Sequence, residues 1–202
     1  MTPDLMIALI GFAFVMSISP GPGNFLLLAS GVNYGFLRTL PMVLGISFGF
    51  LSMVLAIGLG VGQFLQTYSQ IYLGLKLICA AYVLWLAWKI SRMSSFSPSD
   101  GVEGTRPISF IQAALFQLVN PKAWAVALIL TVSYTVPANY VMSLLSMILV
   151  FAIVNLPTIS VWAIFGVGLR RIMSDPVRLR IFNIAMAILL VGSMFPVLFD
   201  LT

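Results

Sequence analysis

Ser19-Pro20-Gly21-Pro22-Gly23-Asn24 interrupts an apolar stretch otherwise long enough to cross a bilayer, and Asn120-Pro121-Lys122 interrupts another at the matching place in the second half. A proline removes a backbone donor and clashes with the carbonyl one turn back. It therefore frees polar groups that lipid cannot satisfy, and such backbone is tolerated only where it is buried in protein or lines a wet cavity. Paired Gly/Pro-interrupted hydrophobic segments in corresponding halves point to the binding site of a transporter.

The composition around these breaks excludes a soluble domain. Hydrophobic residues make up 61% of the 202 residues and charged residues 7%, against roughly 45–50% and 25% in soluble proteins. A span takes about 20 apolar residues, so six spans with short loops use nearly the whole chain. The fold expected is an all-α membrane protein, a single polytopic domain over 1–202. The spans read at about 5–30, 40–62, 70–90, 108–131, 139–168 and 181–199. The stretch 91–107, rich in Ser, Pro and Gly, reads as a hairpin between half-repeats of about 1–90 and 108–202. Asp175-Pro176 reads as a helix start.

Eight cations, Arg38, Lys89, Arg92, Arg106, Arg170, Arg171, Arg178 and Arg180, fall in the first, third and fifth connections and on one side of a six-span protein. Lys and Arg bias short loops to the cytoplasm, so both termini are expected outside. The halves then have opposite orientations and each opens with a broken helix, which is a 3+3 inverted repeat. The N-terminus carries Asp4 rather than a basic region, so no cleaved signal peptide is expected.

One cysteine, Cys79, and no histidine leave no zinc, haem or copper site and no internal disulfide, and no cofactor is expected. The net charge of +5 comes without a basic tract interleaved with aromatics, so nucleic acid is not an expected partner. The five acids, Asp4, Asp100, Glu103, Asp175 and Asp200, all lie in loops or at ends. A proton-coupled carrier of this composition needs a lysine or the substrate itself to carry the proton, since membrane carboxylate and histidine are missing.

The candidate substrate-binding residues are Pro20, Gly21, Pro22, Gly23, Asn24, Gln117, Asn120, Pro121, Lys122 and Lys76. Pro20 and Pro22 remove donors while Gly21 and Gly23 relax the backbone, so the chain unwinds there. Asn24 is expected to cap the resumed helix through its side-chain oxygen, and a half-helix N-terminus attracts a carboxylate. Pro121 disfavours helical geometry at Asn120. Gln112 and Asn120 are placed on one face two turns apart, with Gln117 three residues from Asn120. Lys122 sits roughly 5 Å past the middle of its span, too deep for easy snorkelling. It either meets a substrate carboxylate or donates to carbonyls freed by the first break. Lys76 is an interfacial anchor or a site residue. Asn155-Leu156-Pro157 is read as breaking the fifth span, as a hinge or site wall, and Asn183 as packing. Tyr34, Tyr68, Tyr72, Trp85, Trp88 and Tyr140 are assigned to interfacial belts.

At these residues the chain resembles the LysE/RhtB family of bacterial amino-acid exporters over nearly its full length. The segments that carry the resemblance are Pro20-Gly21-Pro22 with Asn24, Lys76 with Ala80-Ala81-Tyr82 and Leu84, and the Phe-led fourth span with Asn120-Pro121-Lys122. The stretches from Ala80 to Ile90 and from Pro107 to Phe110 look most like the cysteine/O-acetylserine exporter subgroup. The resemblance implies a multi-pass inner-membrane exporter of small neutral amino acids or metabolites, working by alternating access and driven by the proton gradient. It also implies that the two broken helices form the central site. Where many members carry an Asp after a second-span glycine, this chain has Gly49-Phe50. That departure argues against a cationic substrate. The partners expected are an amino-acid substrate and membrane lipid, with a homodimer as the candidate assembly. Two other classes stay open: an uncoupled channel for small polar solutes, and a hydrolase built on Ser17 or Ser19 with Lys122.

Overall fold

The computed structural model describes residues 2–60, 81–92 and 106–192, and among these every regular element is helical. The first apolar stretch is two helices, α1 (Pro3–Ile18) and α2 (Pro22–Tyr34), bent by 55°. Thr2 caps α1, and Ser19 closes it in extended geometry (φ −63°, ψ 142°), as the residue before a proline must. Pro22 opens α2, where the first turn has no use for its missing N–H. Helix α3 (Phe36–Gly58) follows, and a helical stretch, α4, covers 81–91. The second broken stretch is α5 (Phe110–Gln117) and α6 (Pro121–Ser133), bent by 64°. Helix α7 (Tyr140–Leu169) and α8 (Pro176–Gly192) complete the described chain. By length and hydropathy, α3 and the run Pro137–Leu169 are each long enough to cross a membrane, and each bent pair passes the same test as one broken span.

The connectivity of contacts is reciprocal. Both members of the first broken pair, α1 and α2, pack on α7, and both members of the second, α5 and α6, pack on α3. Small residues let the backbones meet. A Cβ on Gly31 would lie 2.2 Å from Ala163 O and one on Gly166 2.4 Å from Leu28 O, which fixes the α2–α7 seam. Gly45 and Gly49 do the same for α3 against Phe110 and Ala114 of α5. In lipid, such close van der Waals approach takes over from removal of apolar surface from water. Large apolar side chains such as Phe48, Ile153 and Ile188 point outward and are more than half exposed, as lipid-facing residues should be.

Two apolar clusters result. One gathers Leu27, Met42, Leu86, Phe116 and Leu190; the other gathers Leu9, Met53, Leu130, Leu144 and Phe151. The two breaks lie between them.

Several expectations need correction. The first connection is not the stretch between the expected spans of about 5–30 and 40–62 but a single residue, Gly35 (φ +82°), which ends α2 and starts α3. Gly31 serves packing instead of a turn, so α2 continues to Tyr34 and the second span begins at Phe36. Tyr34 is 7% exposed and belongs to a core cluster, not to a belt. Pro157 does not break the fifth span, because α7 runs through it for 30 residues. Thr158 Oγ1 and Ser160 Oγ bond back to Val154 O and Leu156 O within the same helix (2.6 and 2.7 Å). Asp175 does start α8, its Oδ1 accepting from Val177 N and Arg178 N at 2.7 and 3.1 Å. Trp85, Trp88 and Tyr140 are at least one-third exposed, as belt residues are. Tyr68, Tyr72, Lys76 and Cys79 lie outside the described residues.

Candidate binding site

Ending α1 at Ile18 leaves its last carbonyls without intrahelical donors. Each is met by a side chain. Asn24 Nδ2, from α2, donates to Ser17 O and Ser19 O, both at 2.9 Å. Trp162 Nε1, from α7, donates to Ile18 O at 3.1 Å. Lys122 Nζ, from the first turn of α6, donates to Ser19 O at 2.7 Å and to Ser19 Oγ at 2.8 Å. The ammonium thus sits at the negative end of a helix dipole, where cations are favoured. Gly21 makes room for it, since a Cβ there would lie 2.8 Å from Lys122 Cδ.

Asn24 consequently does not cap α2. It is the third residue of that helix, the cap position is Gly21 in extended geometry, and the amide works as a donor back to α1. Gln112 is also misplaced by the simple two-turn rule. It stands in the first turn of α5, forming a capping box with Ser109 (3.0 and 3.3 Å). The 64° bend after Gln117 separates its face from that of Asn120.

The second break is milder. Leu118, Val119 and Asn120 turn through short-range bonds to Leu115 O, Phe116 O and Gln117 O, and Asn120 adopts φ −86°, ψ 108° before Pro121. Asn120 Nδ2 donates to Gln117 Oε1 at 3.2 Å, and Trp124 Nε1 covers Leu118 O at 2.8 Å.

A cavity of about 60 Å³ lies at the breaks. Its polar wall is Ser17, Asn24, Gln117, Asn120, Lys122 and Asn155, and its apolar wall includes Ile46 and Ile159 on one side and Phe50 and Phe151 on the other. Asn155 reaches it from α7 and donates to Ser17 Oγ at 2.8 Å, so this asparagine is a site wall rather than a hinge. The side-chain amide oxygens of Asn120 and Asn155 are buried and meet no donor among the described residues. A buried acceptor left unmet costs about 1–3 kcal/mol, so two in one cavity mark a place prepared for a donor-rich group. Of the described candidate residues, Gly21, Gly23, Asn24, Gln117, Asn120 and Lys122 line this cavity, while Pro20, Pro22 and Pro121 do not. Trp162 is not among the residues the sequence singles out, and Ser17 is singled out only as a possible nucleophile; an indole within an apolar helix, whose N–H must find a partner, is the signal for the first.

The arrangement does not suit nucleophilic hydrolysis. Lys122 donates to the Ser19 hydroxyl, and that hydroxyl donates to Met16 O at 3.2 Å, whereas a general base would have to accept its proton.

A family model described as LysE type translocator matches residues 14–199. The chain belongs to the LysE family. As a LysE-type translocator it is a multi-pass protein of the inner membrane, and a transporter rather than an enzyme. It is 34% identical over 122 residues to a cysteine/O-acetylserine efflux protein of Klebsiella pneumoniae, across 60% of this chain and 61% of that one. A protein of the same name from Escherichia coli K12 is 32% identical over 199 residues, covering 95% of this chain and 96% of the relative. Another from Escherichia coli O157:H7 is 30% identical over 193 residues, with 95% and 96% covered. No solved structure matches this LysE-type chain.

Proposed function

We propose that this translocator exports a small neutral amino acid or amino-acid metabolite of the cysteine/O-acetylserine type, by alternating access driven by the proton gradient. The observation that carries the reading is the pair of unmet amide oxygens, Asn120 Oδ1 and Asn155 Oδ1, in the same cavity as the Lys122 ammonium. A zwitterion complements both: its ammonium supplies donors to the amides, and its carboxylate supplies an anion for Lys122 and the N–H groups opening α2 at Gly23 and Asn24. The names of the efflux-protein relatives point to the same substrate class.

In the structure Lys122 holds the carbonyl of Ser19. Substrate binding exchanges that contact: Lys122 swings to the carboxylate while the substrate ammonium takes over carbonyl and amide acceptors. The cavity holds roughly four to six waters, fewer atoms than cysteine needs, so it must open to load. Pro20, Gly21, Pro22 and Pro121 supply the backbone breaks that allow this, and Gln117 orients Asn120. Lys76 belongs to the proposed site through the resemblance alone.

The proposed frame is six spans in a 3+3 inverted repeat, with half-repeats of about 1–90 and 108–202 and both termini outside. The reciprocal clasp of each broken pair on the long helix of the other half supports it. So does the sorting of loops: Gly35 lies against Arg170, joining two cation-bearing connections, while Tyr140 Oη donates to Gly58 O at 2.8 Å, joining two that lack cations. One half rocks against the other around the breaks. With no carboxylate or histidine among the lining residues, the proton travels on Lys122 or on the substrate.

Efflux from proteoliposomes loaded with cysteine, O-acetylserine, threonine or lysine tests this. Saturable, uncoupler-sensitive export of a neutral substrate, lost in Lys122→Ala and reduced in Asn120→Ala at normal folded yield, is the expected result. Equal transport by both variants would refute the site. Flux that is unsaturable and indifferent to the uncoupler would identify a channel.

A further inference from the structure

A second, larger cavity, about 490 Å³, lies away from the breaks, between the ends of α2 and α7, the 3-10 turn Ile172–Ser174 and Leu179 of α8. Its volume is within the roughly 300–1,000 Å³ range of small-molecule sites. The tight crossing of Gly31 with Ala163 and Gly166 with Leu28 lies beside it, one or two residues from its lining residues Val32, Asn33 and Val167. The buried amides of Asn33 and Asn183, paired at 2.8 and 3.2 Å, join α2 to α8 at the same level.

Arg170 and Arg171 both line this cavity. Neither has a carboxylate partner among the described residues, and Asp175 spends its Oδ1 on the N–H groups of Val177 and Arg178. Guanidinium groups stay charged at any relevant pH, so the two exposed side chains give this wall a fixed positive charge suited to an anion. Their planar forks match phosphate in a bidentate manner. Ser174 adds a hydroxyl to the wall. Just outside, Ile172, Val177 and Ile181 are each more than half exposed and form an apolar edge.

The geometry points to a binding site for a phosphate-bearing anion in this cavity, held between Arg170 and Arg171. The apolar edge fits an anionic lipid whose headgroup enters while its chains stay in the bilayer, in the way basic pockets between transmembrane helices take acidic headgroups. A free phosphate offers the same chemistry without the chains.

The test uses the full chain purified in an uncharged detergent. Thermal unfolding and native mass spectrometry are followed on adding phosphatidylglycerol, phosphatidylcholine or inorganic phosphate. Wild type is expected to gain a saturable rise in melting temperature and a retained adduct with phosphatidylglycerol, and little with phosphatidylcholine. Arg170→Gln/Arg171→Gln should weaken the apparent affinity about tenfold or more, and Arg178→Gln/Arg180→Gln should leave it unchanged. Ser174→Glu keeps both arginines but places a carboxylate between them, and should abolish the adduct even if the double variant fails to assemble. Saturation by inorganic phosphate alone would assign the site to the free anion. Equal response to phosphatidylglycerol and phosphatidylcholine, or a Ser174→Glu protein that binds like wild type, would overturn the proposal. None of these readouts depends on transport, so the site stands or falls separately from the export reading.

Discussion

Lys122 and Ser19 are 103 residues apart in sequence and 2.7 Å apart in space, the ammonium of one helix break resting on the carbonyl of the other. This contact closes the ring of donors around the end of α1 and joins the two halves of the chain at their most polar level.

Gly21→Ala tests how much that contact contributes. The new methyl would fall 2.8 Å from Lys122 Cδ, and the flexible side chain can yield where backbone could not. The variant should fold with Lys122 displaced from Ser19, losing up to about 1.5–3 kcal/mol for a charge-assisted bond. Thermal unfolding in detergent would show the loss; an unchanged transition would mean that Lys122 keeps its contact.

The α2–α7 seam makes the opposite kind of prediction. A methyl on Gly31 would strike Ala163 O, and one on Gly166 would strike Leu28 O. Backbone cannot step aside cheaply, so Gly31→Ala and Gly166→Ala should each destabilise by about 1–3 kcal/mol or more. Gly168→Ala, where nothing lies near, should be silent in the same melting experiment.

Asn33 and Asn183 form a reciprocal amide pair that is almost wholly buried. Asn33→Leu alone removes the donor and the acceptor that Asn183 meets on α2 and should cost about 1–3 kcal/mol. Replacing both with Leu should recover much of that loss. A double-mutant cycle by thermal unfolding checks it, and simple additivity would contradict the pairing.

Asp175 gives a pH signature. The N–H groups of Arg178 and Val177 bond its carboxylate and hold it below its ordinary range. A pKa depressed by folding contributes stability that is complete above the unfolded carboxylate range and is lost as the pH falls through the folded value. Asp175→Ala should therefore melt lower than wild type at neutral pH, and the two curves should converge in acid.

Phe50 and Phe151 come from the long helices of opposite halves and meet at 4.9 Å between ring centres on one side of the central cavity. The pair lines the cavity around which the halves are proposed to rock, and its contact is one of those that hold them together there. An aromatic contact is worth about 0.5–1.5 kcal/mol beyond its area, so Phe50→Leu should raise leak of preloaded substrate without a gradient roughly two- to tenfold. A leak-free variant would place the closure elsewhere.

The breaks themselves were plain in the sequence, because Pro20, Pro22 and Pro121 stand in apolar surroundings where lost donors matter most. Lys122 was also legible, since a mid-span ammonium needs a partner; that it rests on the Ser19 carbonyl depended on where α1 ends. Pro157 looked like Pro121 in sequence yet leaves its helix intact, since neighbouring hydroxyls and packing decide whether a proline bends or breaks. Gly31 and Gly35 lie four apart and read alike as turn residues. Only the approach of Ala163, far along the chain, makes the first a packing contact. Asn24 and Gln112 were placed by local rules of capping and spacing, and the bends at the breaks overrode those rules.

The carbonyl of Ile18 waits for the indole of Trp162, 144 residues later, and that of Ser19 for Lys122. During synthesis Asn24 alone can serve the polar end of the opening helix, and the Ile18 carbonyl waits until the stretch carrying Trp162 has followed. A chain cut short before Trp162 would keep a carbonyl at the end of α1 without the indole that meets it in the finished protein.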